Sequence, residues 1–540
     1  MKQAINPSVQ SAWTGNTLIV LAVIFVVVAG NFTFFAGVLK TYPLVPGNYL
    51  PVASLAIVVS AVTALLPALL AHGRATKPLL IGYLLIAALA AYFMDTYGII
   101  INDEMLENVA QTNPGEARDL LNFRLLAYFT ALGVFPALLI WKVPLQWRGW
   151  RVELFARFKL LVLLLVMLIG LLLLFGSFYA SFAREHKALR SYANPTYPIY
   201  SAIKFVHSQF AAQTDKTVAT IGVDAHIPAG DIHRELVILV VGETARSDHF
   251  SLNGYGRETN PRLRQTDAIS FADFRACGTS TAVSVPCMFS LSGSGGKAEG
   301  QENLLDVLQH AGVNVLWLDN NSDSKGVALR VPYRNFKLPE NNPVCDIECR
   351  DEGMLVPLQA YIDSHPQGDI FIVLHQMGNH GPAYYKRYPA AFEHFKPACQ
   401  SNDLNQCARE EVVNAYDNAL RYTDHFLAET ISLLKRNDEK FETALFYVSD
   451  HGESLGEGGT YLHGLPKAIA PAAQLVVPAI MWFGAGFDEL DRPALLNKAT
   501  QRFTHDNLFH TVLGFMEIET AIYRPELDIL EGCRKPETHK

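Results

Sequence analysis

Residues 443–457 read TALFYVSDHGESLGE, a short apolar run that stops abruptly at Asp450 and His451. β-Branched and aromatic residues in a run of this length indicate a buried strand rather than a helix. Three other stretches repeat the pattern. LVILVVGETARSDH (236–249) ends its strand at Glu243, and VNVLWLDNNSDSKG (313–326) ends in an Asp/Asn/Ser cluster with Lys325. DIFIVLHQMGNHGP (369–382) ends in His375 and His380, and His463 follows soon after the fourth strand in YLHG. From about residue 233 such runs alternate with longer helical patterns, the signature of an α/β domain with a largely parallel sheet.

In open α/β sheets the ligand site lies outside the carboxyl ends of the strands. Four strands that each deliver polar or metal-competent groups to that edge make one site, although a single Glu or His after a strand is more often a cap or a surface residue. Glu243, Asp450 and His451 suit zinc, which takes nitrogen and oxygen ligands tetrahedrally. A fourth ligand can come from CGTSTAVSVPCMFS (277–290), which packs hydroxyls between two cysteines ahead of a helical stretch. A hydroxyl at a helix start also faces backbone N–H groups that suit an anionic phosphoryl. The bland alternative is a disulfide-closed turn whose hydroxyls only cap the helix.

Three other motifs fail on context. GESLG (452–456) fits G-x-S-x-G, but Asp450 and His451 intervene and no helix-forming sequence follows. GSGGKAEG (293–300) lacks the P-loop spacing and follows no strand. A C/S-x-P/A-x-R sulfatase signature is absent from the sequence.

The first third of the 540 residues is different in kind. Charged residues are only 18% of the chain and the mean hydropathy is +0.15, an average that hides a membrane part beside a water-soluble one. Charge-free runs at 17–39, 49–71, 78–94, 125–141 and 160–183 are each long enough for a membrane helix. A cleaved signal peptide is the rival reading of the first run. That run is too long, has no clear A-x-A site and is followed by four more. Lys2, Arg74, Lys77, Lys142, Arg148, Arg151, Arg157 and Lys159 share one side, against Lys40, Arg118 and Arg124 on the other. The positive-inside rule then places the N-terminus in the cytoplasm and everything after the fifth span outside.

All seven cysteines follow the last span, as in an oxidising compartment. The sequence-local pairs Cys277–Cys287, Cys345–Cys349 and Cys399–Cys407 are the simplest of 15 connectivities for those six, with Cys533 left over. The spacings do not match a zinc–cysteine site. Segment 196–210 reads as a helix lying on the membrane or as an ordinary connector, and 213–232 as a linker. A net charge of −8 argues against a nucleic-acid partner.

The motifs ETARSDH (243–249), CGTSTA (277–282), DNNSDSKG (319–326), HQMGNHGP (375–382), SDHGESLGE (449–457) and YLHG (461–464) resemble those of the phosphoethanolamine–lipid A transferases, a family that includes the plasmid-borne colistin-resistance enzymes. The resemblance covers nearly the whole chain. It implies a five-helix transmembrane domain (1–183), an interfacial helix and linker (184–232), and an alkaline-phosphatase/sulfatase-like α/β/α sandwich in the periplasm (233–540), anchored in the Gram-negative inner membrane. It implies a two-step transfer in which Thr281 attacks phosphatidylethanolamine, releases diacylglycerol and holds a phosphoethanolamine ester, which a phosphate of lipid A then attacks. Glu243, Thr281, Asp450 and His451 match the family's zinc site. His380 and His463 match its second site, for another zinc or for the phosphoethanolamine phosphate. Ser280, Asn321 and Lys325 match substrate-contacting positions, and Asn108, Thr112 and Glu116 match residues at the ethanolamine end. His375 and Glu453 are expected beside these groups as supporting residues. Val283 stands where some relatives have an aromatic residue. A monomer among membrane lipids is expected, and surface charge neutralised by the added ammonium would confer polymyxin resistance. The remaining alternatives are a sister transferase with a core-sugar acceptor and a lipid-binding protein without activity; the latter would be expected to lose Thr281 or a ligand, and none is lost.

Overall fold

The computed structural model describes residues 13–112, 114–212, 218–296 and 300–535; Lys2 and the first five residues of the expected linker, 213–217, lie outside them. The chain forms two compact units, one of residues 1–106 and 121–207 and one of residues 107–120 and 208–540.

The first unit is helical. Its long elements are α1 (Gly15–Ala29), α2 (Phe32–Thr41), α3 (Tyr49–Leu70), α4 (Gly73–Tyr97), α7 (Phe123–Lys142) and α8 (Trp150–Leu174); between α4 and α7 in the chain, the short α5 (Asp103–Gln111) is divided between the two units and α6 (Pro114–Asp119) belongs to the second. Four of these are long and apolar enough to cross a membrane, and there are five if α1 and α2, bent by 59° at their break, make one span. The first expected run is therefore a broken helix. Asn31 and Asn194 hold the break: Asn31 Nδ2 donates to Val26 O at 3.0 Å, and Asn194 Nδ2 donates to Gly30 O at 2.7 Å and Ala87 O at 2.8 Å. Carbonyls freed inside a bilayer need such internal partners.

The fifth expected run, 160–183, is displaced. Helix α8 begins ten residues earlier and ends at Leu174, and α9 (Gly176–Glu185) follows after Phe175, whose backbone leaves the helical region (φ −117°, ψ 35°). A count of uncharged residues cannot find this start, because Arg151, Glu153, Arg157 and Lys159 all lie within the helix, Arg157 buried with its Nε donating to Ala71 O at 3.1 Å. Helix α10 (Thr196–Ala212) covers the expected interfacial segment and exposes Tyr200, Ile203 and Val206.

The second unit is an α/β/α sandwich. Its strands are β1 (Glu235–Gly242), β2 (Ile269–Arg275), β3 (Asn314–Asp319), β4 (Tyr333–Asn335), β5 (Ile370–His375), β6 (Glu442–Ser449), a small hairpin β7 (Ser454–Leu455) and β8 (Tyr461–Leu462), then β9 (Val476–Phe483) and β10 (Phe503–Thr504). Eight of them form one sheet in the order β10-β2-β9-β6-β1-β5-β3-β4. The four strands read from the sequence are its parallel centre; β9 runs antiparallel to both β6 and β2. Alternate residues of β1 enter two different cores. Val237, Leu239 and Val241 pack on one face against α11 (Thr281–Phe289), α12 (Leu304–His310) and α14 (Leu508–Phe515). Leu236, Ile238 and Val240 pack on the other against α13 (Arg409–Lys435). Burial on both faces explains the continuous apolar runs that mark these strands in the sequence. Disulfides join Cys277 to Cys287, Cys345 to Cys349 and Cys399 to Cys407, while Cys533 is a buried free thiol.

Candidate active site

Register brings the expected groups together. Gly242 pairs with Ser449, and Val241 and Asp319 both pair with His375, so the carboxyl ends of β1, β3, β5 and β6 lie along one edge. Gly242 has no side chain where one would collide with Tyr447: a Cβ there would lie 2.5 Å from that ring. Past the strand, Thr244 adopts a left-handed φ of 51° and its N–H donates to Asp450 Oδ1 at 3.2 Å. A threonine held in this region costs about 1–3 kcal/mol and is found where surrounding structure over-determines it.

Glu243, Asp450 and His451 are completely buried, and one ligand atom from each lies within 4.8 Å of the others. His451 Nδ1 is 2.9 Å from Gly452 O. This contact assigns the proton to Nδ1 and turns the Nε2 lone pair toward the carboxylates. Nε2 lies 3.4 Å from Glu243 Oε1 and 3.4 Å from Asp450 Oδ2, and both of those oxygens lack a hydrogen-bond partner. Thr281 is the first residue of α11, after the N-cap Ser280. Its hydroxyl donates to Glu243 Oε2 at 3.1 Å and is 3.4 Å from His451 Nε2. The Cys277–Cys287 bridge ties the loop before this helix to its last turn. Hence the hydroxyl faces the cluster and does more than cap the helix.

Two buried acids this close cannot both carry charge without a cation. Burial, and then the charge of Asp450, pushes Glu243 well above the usual carboxylate range. Burial likewise lifts Asp450 to about 7. His451 is held well below its ordinary value by burial and by His463. Two orphaned carboxylate oxygens, a neutral imidazole nitrogen and a hydroxyl oxygen form a donor set that fits a tetrahedral zinc ion.

The second pair also assembles. The rings of His380 and His463 are 5.6 Å apart, and His463 is 4.3 Å from His451. His463 Nδ1 lies 3.4 Å from Glu453 Oε2. Burial opposes a proton on His463, but the Glu453 charge outweighs it and raises the imidazole pKa; His380 is lowered by burial to about 3. Asn321 Nδ2 donates to Glu243 Oε2 at 2.7 Å and to Gln376 O at 2.7 Å. Lys325 Nζ donates to Ser322 O at 2.7 Å and to Gln111 O at 3.3 Å.

Asn108 and Thr112 are one helical turn apart near the end of α5, where Thr112 Oγ1 donates to Asn108 O at 2.7 Å. Glu116 is buried and accepts from Lys337 Nζ at 2.7 Å. His375 is held by Asp319, its Nδ1 lying 2.8 Å from Asp319 Oδ2, while its Nε2 is buried without a hydrogen-bond partner. Val283 packs against Gly278, whose added Cβ would meet it at 2.6 Å.

Two contributors had no role assigned from the sequence. Asp319, which also accepts from Trp317 Nε1 at 2.9 Å, fixes His375. Arg387 is buried and donates to His380 O at 2.6 Å, Glu348 Oε2 at 2.5 Å and Asp119 Oδ2 at 3.0 Å. The DNN run after β3 hinted at the first. The second joins positions hundreds of residues apart, and no local pattern encodes it.

Residues 235–518 match the sulfatase family, and residues 58–210 match the family described as phosphoethanolamine transferase EptA/EptB. The phosphatidylethanolamine transferase Mcr-2 of Escherichia coli is 42% identical over 532 residues, covering 96% of each chain. The chain belongs to the phosphoethanolamine transferase family. Within that family, the phosphoethanolamine transferase EptA of Escherichia coli strain K12 is 40% identical over 535 residues, again covering 96% of each chain. The solved integral membrane lipooligosaccharide phosphoethanolamine transferase A from Neisseria meningitidis superposes with a TM-score of 0.91 at 36% identity, covering 96% of this chain and 99% of that one. The resemblance read from the motifs therefore holds, and the sulfatase match reflects the shared α/β fold in a chain that lacks the sulfatase signature.

Proposed function

We propose that the protein transfers phosphoethanolamine from phosphatidylethanolamine to a phosphate of lipid A through an ester on Thr281. The observation that carries this reading is the Thr281 hydroxyl, at a helix start and within hydrogen-bond reach of Glu243 and His451. Thr281 Oγ1 forms a bond to phosphorus, the bond from phosphorus to the glycerol oxygen breaks, and diacylglycerol leaves with that electron pair. The hydroxyl proton passes to Glu243 Oε2, its present acceptor. His463, made more basic by Glu453, is the group that returns a proton to the leaving oxygen. In the second half a lipid A phosphate oxygen attacks the same phosphorus and Thr281 departs.

Glu243, Thr281, Asp450 and His451 would hold a zinc ion, which lowers the pKa of a bound hydroxyl and offsets phosphoryl charge. His380 and His463 serve the second site, for another zinc or for the phosphate. Ser280, Asn321 and Lys325 contact the substrate, with the Lys325 ammonium facing phosphate charge. Asn108, Thr112 and Glu116 receive the ethanolamine end, where a carboxylate suits an ammonium. His375 and Glu453 orient their neighbours. The transmembrane domain is 1–183, the interfacial helix and linker 184–232, and the catalytic domain 233–540, in the periplasm of a Gram-negative cell with the N-terminus cytoplasmic. The protein acts as a monomer in the inner membrane, where both lipids diffuse in two dimensions. The modified surface attracts cationic polymyxins less, which gives colistin resistance.

Mass spectrometry of lipid A from an unmodified Gram-negative host expressing the chain tests this. An added phosphoethanolamine, absent with Thr281→Ala, supports donor, acceptor and nucleophile together. Unchanged lipid A from a folded, inserted protein rejects the acceptor and points to core sugars.

A further inference from the structure

A second carboxylate cluster lies at the opposite edge of the same sheet, where the central strands begin. Asp231, Glu235 and Glu517 each place a carboxylate oxygen within 4.8 Å of the others. Glu235, the first residue of β1, is 1% exposed; its carboxyl lies against that of Asp369, and neither of its oxygens has a backbone, cationic or hydroxyl donor. Asp231 Oδ2 and Asp369 Oδ2 are buried without one as well. Arg534 and His233 act by charge on Glu517, and Arg234 on Glu235 and Asp369, but none of them makes a direct ion pair with the cluster, and their own bonds run elsewhere. Arg234 donates to Gly368 O and His365 O and lies over the Phe441 ring. His233 Nδ1 is 3.1 Å from Glu442, and the Arg534 guanidinium donates to Gly514 O.

The cluster closes a seam between two segments. His226 and Glu519 exchange a pair of backbone hydrogen bonds, 3.1 and 3.0 Å long. Asp224 accepts from Thr520 Oγ1 at 2.9 Å and from Ala521 N at 2.6 Å. Asp231 and Glu517 bring three-way carboxylate repulsion to the end of this seam, with Glu235 between them and sealed from water. A cation at their centre converts that repulsion into attraction. The donors are all oxygen, with no imidazole or thiolate, a set for a hard cation rather than zinc. One aspartate and two glutamates, on a loop, a strand and the turn that follows a helix, suit the irregular coordination of calcium better than the octahedron that magnesium demands.

We propose that Asp231, Glu235 and Glu517 bind a calcium ion that pins the segment entering β1 to the segment following α14, at a site separate from the Thr281 centre. The rival occupant is a proton: burial and Asp369 push the Glu235 carboxyl up to about 10, so a carboxyl–carboxylate pair with Asp369 could satisfy the cluster alone.

The test uses the full-length protein in detergent, freed of divalent ions on a chelating resin, re-loaded with stoichiometric zinc and then titrated with calcium chloride at fixed ionic strength. Thermal unfolding is followed, with calorimetric titration of calcium alongside. The expected result is a saturable rise in Tm of several degrees with calcium, a smaller one with magnesium, and one calcium bound. Glu235→Gln and Glu517→Gln should each unfold no earlier than wild type without calcium, because repulsion is relieved, and should lose the rise. Should Glu235→Gln not fold, the half-buried Glu517→Gln still decides the matter. Asp450→Asn, at the other edge, should keep the calcium response. No calcium-dependent rise in the wild type overturns the proposal in favour of the shared proton. An undiminished rise in both Gln variants overturns it in favour of another site.

Discussion

Two of the buried sets of acids in the second unit are treated in opposite ways. Glu116 and Asp119 are 7% and 8% exposed, and the chain supplies their counter-charges: Lys337 to Glu116, Lys386 and Arg387 to Asp119 at 2.5 and 3.0 Å. Burial would raise Glu116, but His380, Lys337 and Arg387 together hold it down at about 2. Glu243 and Asp450 are fully buried with His451 and a hydroxyl for company, each keeping one orphaned oxygen, and burial raises both. The difference teaches that burial of carboxylates does not identify the reacting centre. A missing counter-charge marks where an ion from outside can complete a site, at Asp231, Glu235 and Glu517 as well as at Glu243 and Asp450, and only the second of these has a hydroxyl, that of Thr281, beside it.

The sharpest way to break this contrast is at the hydroxyl. Thr281→Ala should lower transfer by about three orders of magnitude or more, as loss of a covalent nucleophile does, while Tm and zinc content stay near wild type. Substantial residual transfer would remove the hydroxyl from the chemistry. Next in size is the self-compensated set. Arg387→Met leaves Asp119 and Glu348 buried with fewer partners, and should cost about 3–5 kcal/mol of stability, read as a lowered urea midpoint. A neutral result would mean that the two sets do not differ as described.

The pH response should separate them further. Asp450 is raised from 3.8 to about 7, so in metal-free protein its contribution to stability is full below about pH 4 and lost as pH rises through about 7. Glu116 is lowered from 4.5 to about 2, so its contribution is full above about pH 4.5 and lost as pH falls through about 2. Tm measured against pH with and without zinc should show the neutral-side loss disappear on zinc addition, while the acid-side loss persists. A neutral-side loss unchanged by zinc would separate Asp450 from the metal. The smallest effect is expected from Lys337→Gln, which removes one of several cations around Glu116. A loss of about 1–2 kcal/mol, with the acid-side loss moved to higher pH, would confirm that the compensation there is shared.

Legibility followed the range of the interactions. The four central strands stand out because a strand buried on both faces must be apolar throughout, and LVILVV, VLWL, IFIVL and ALFYV are. Glu243, Asp450 and His451 stand out because each directly follows such a strand. Strand β9, antiparallel in the middle of the sheet, gave no distinguishing sign: Val476–Phe483 is as apolar as its parallel neighbours. The fifth apolar run starts ten residues after its helix does, because Arg151, Glu153, Arg157 and Lys159 interrupt the charge-free count although all four lie within α8.

The amino-acid order alone determined the division into an apolar first third and an α/β remainder, the strands that carry the site, and the residue types that chemistry needs there. These depend on side-chain period and on neighbours a few residues apart. Only the tertiary structure decided that Thr281 faces Glu243 across 38 positions, that His375 is fixed by Asp319, and that Arg387 joins His380 to Asp119. Those pairings are set by strand register and by the packing of distant segments, and whether a buried carboxylate is compensated or left open depends on which cation the fold brings to it.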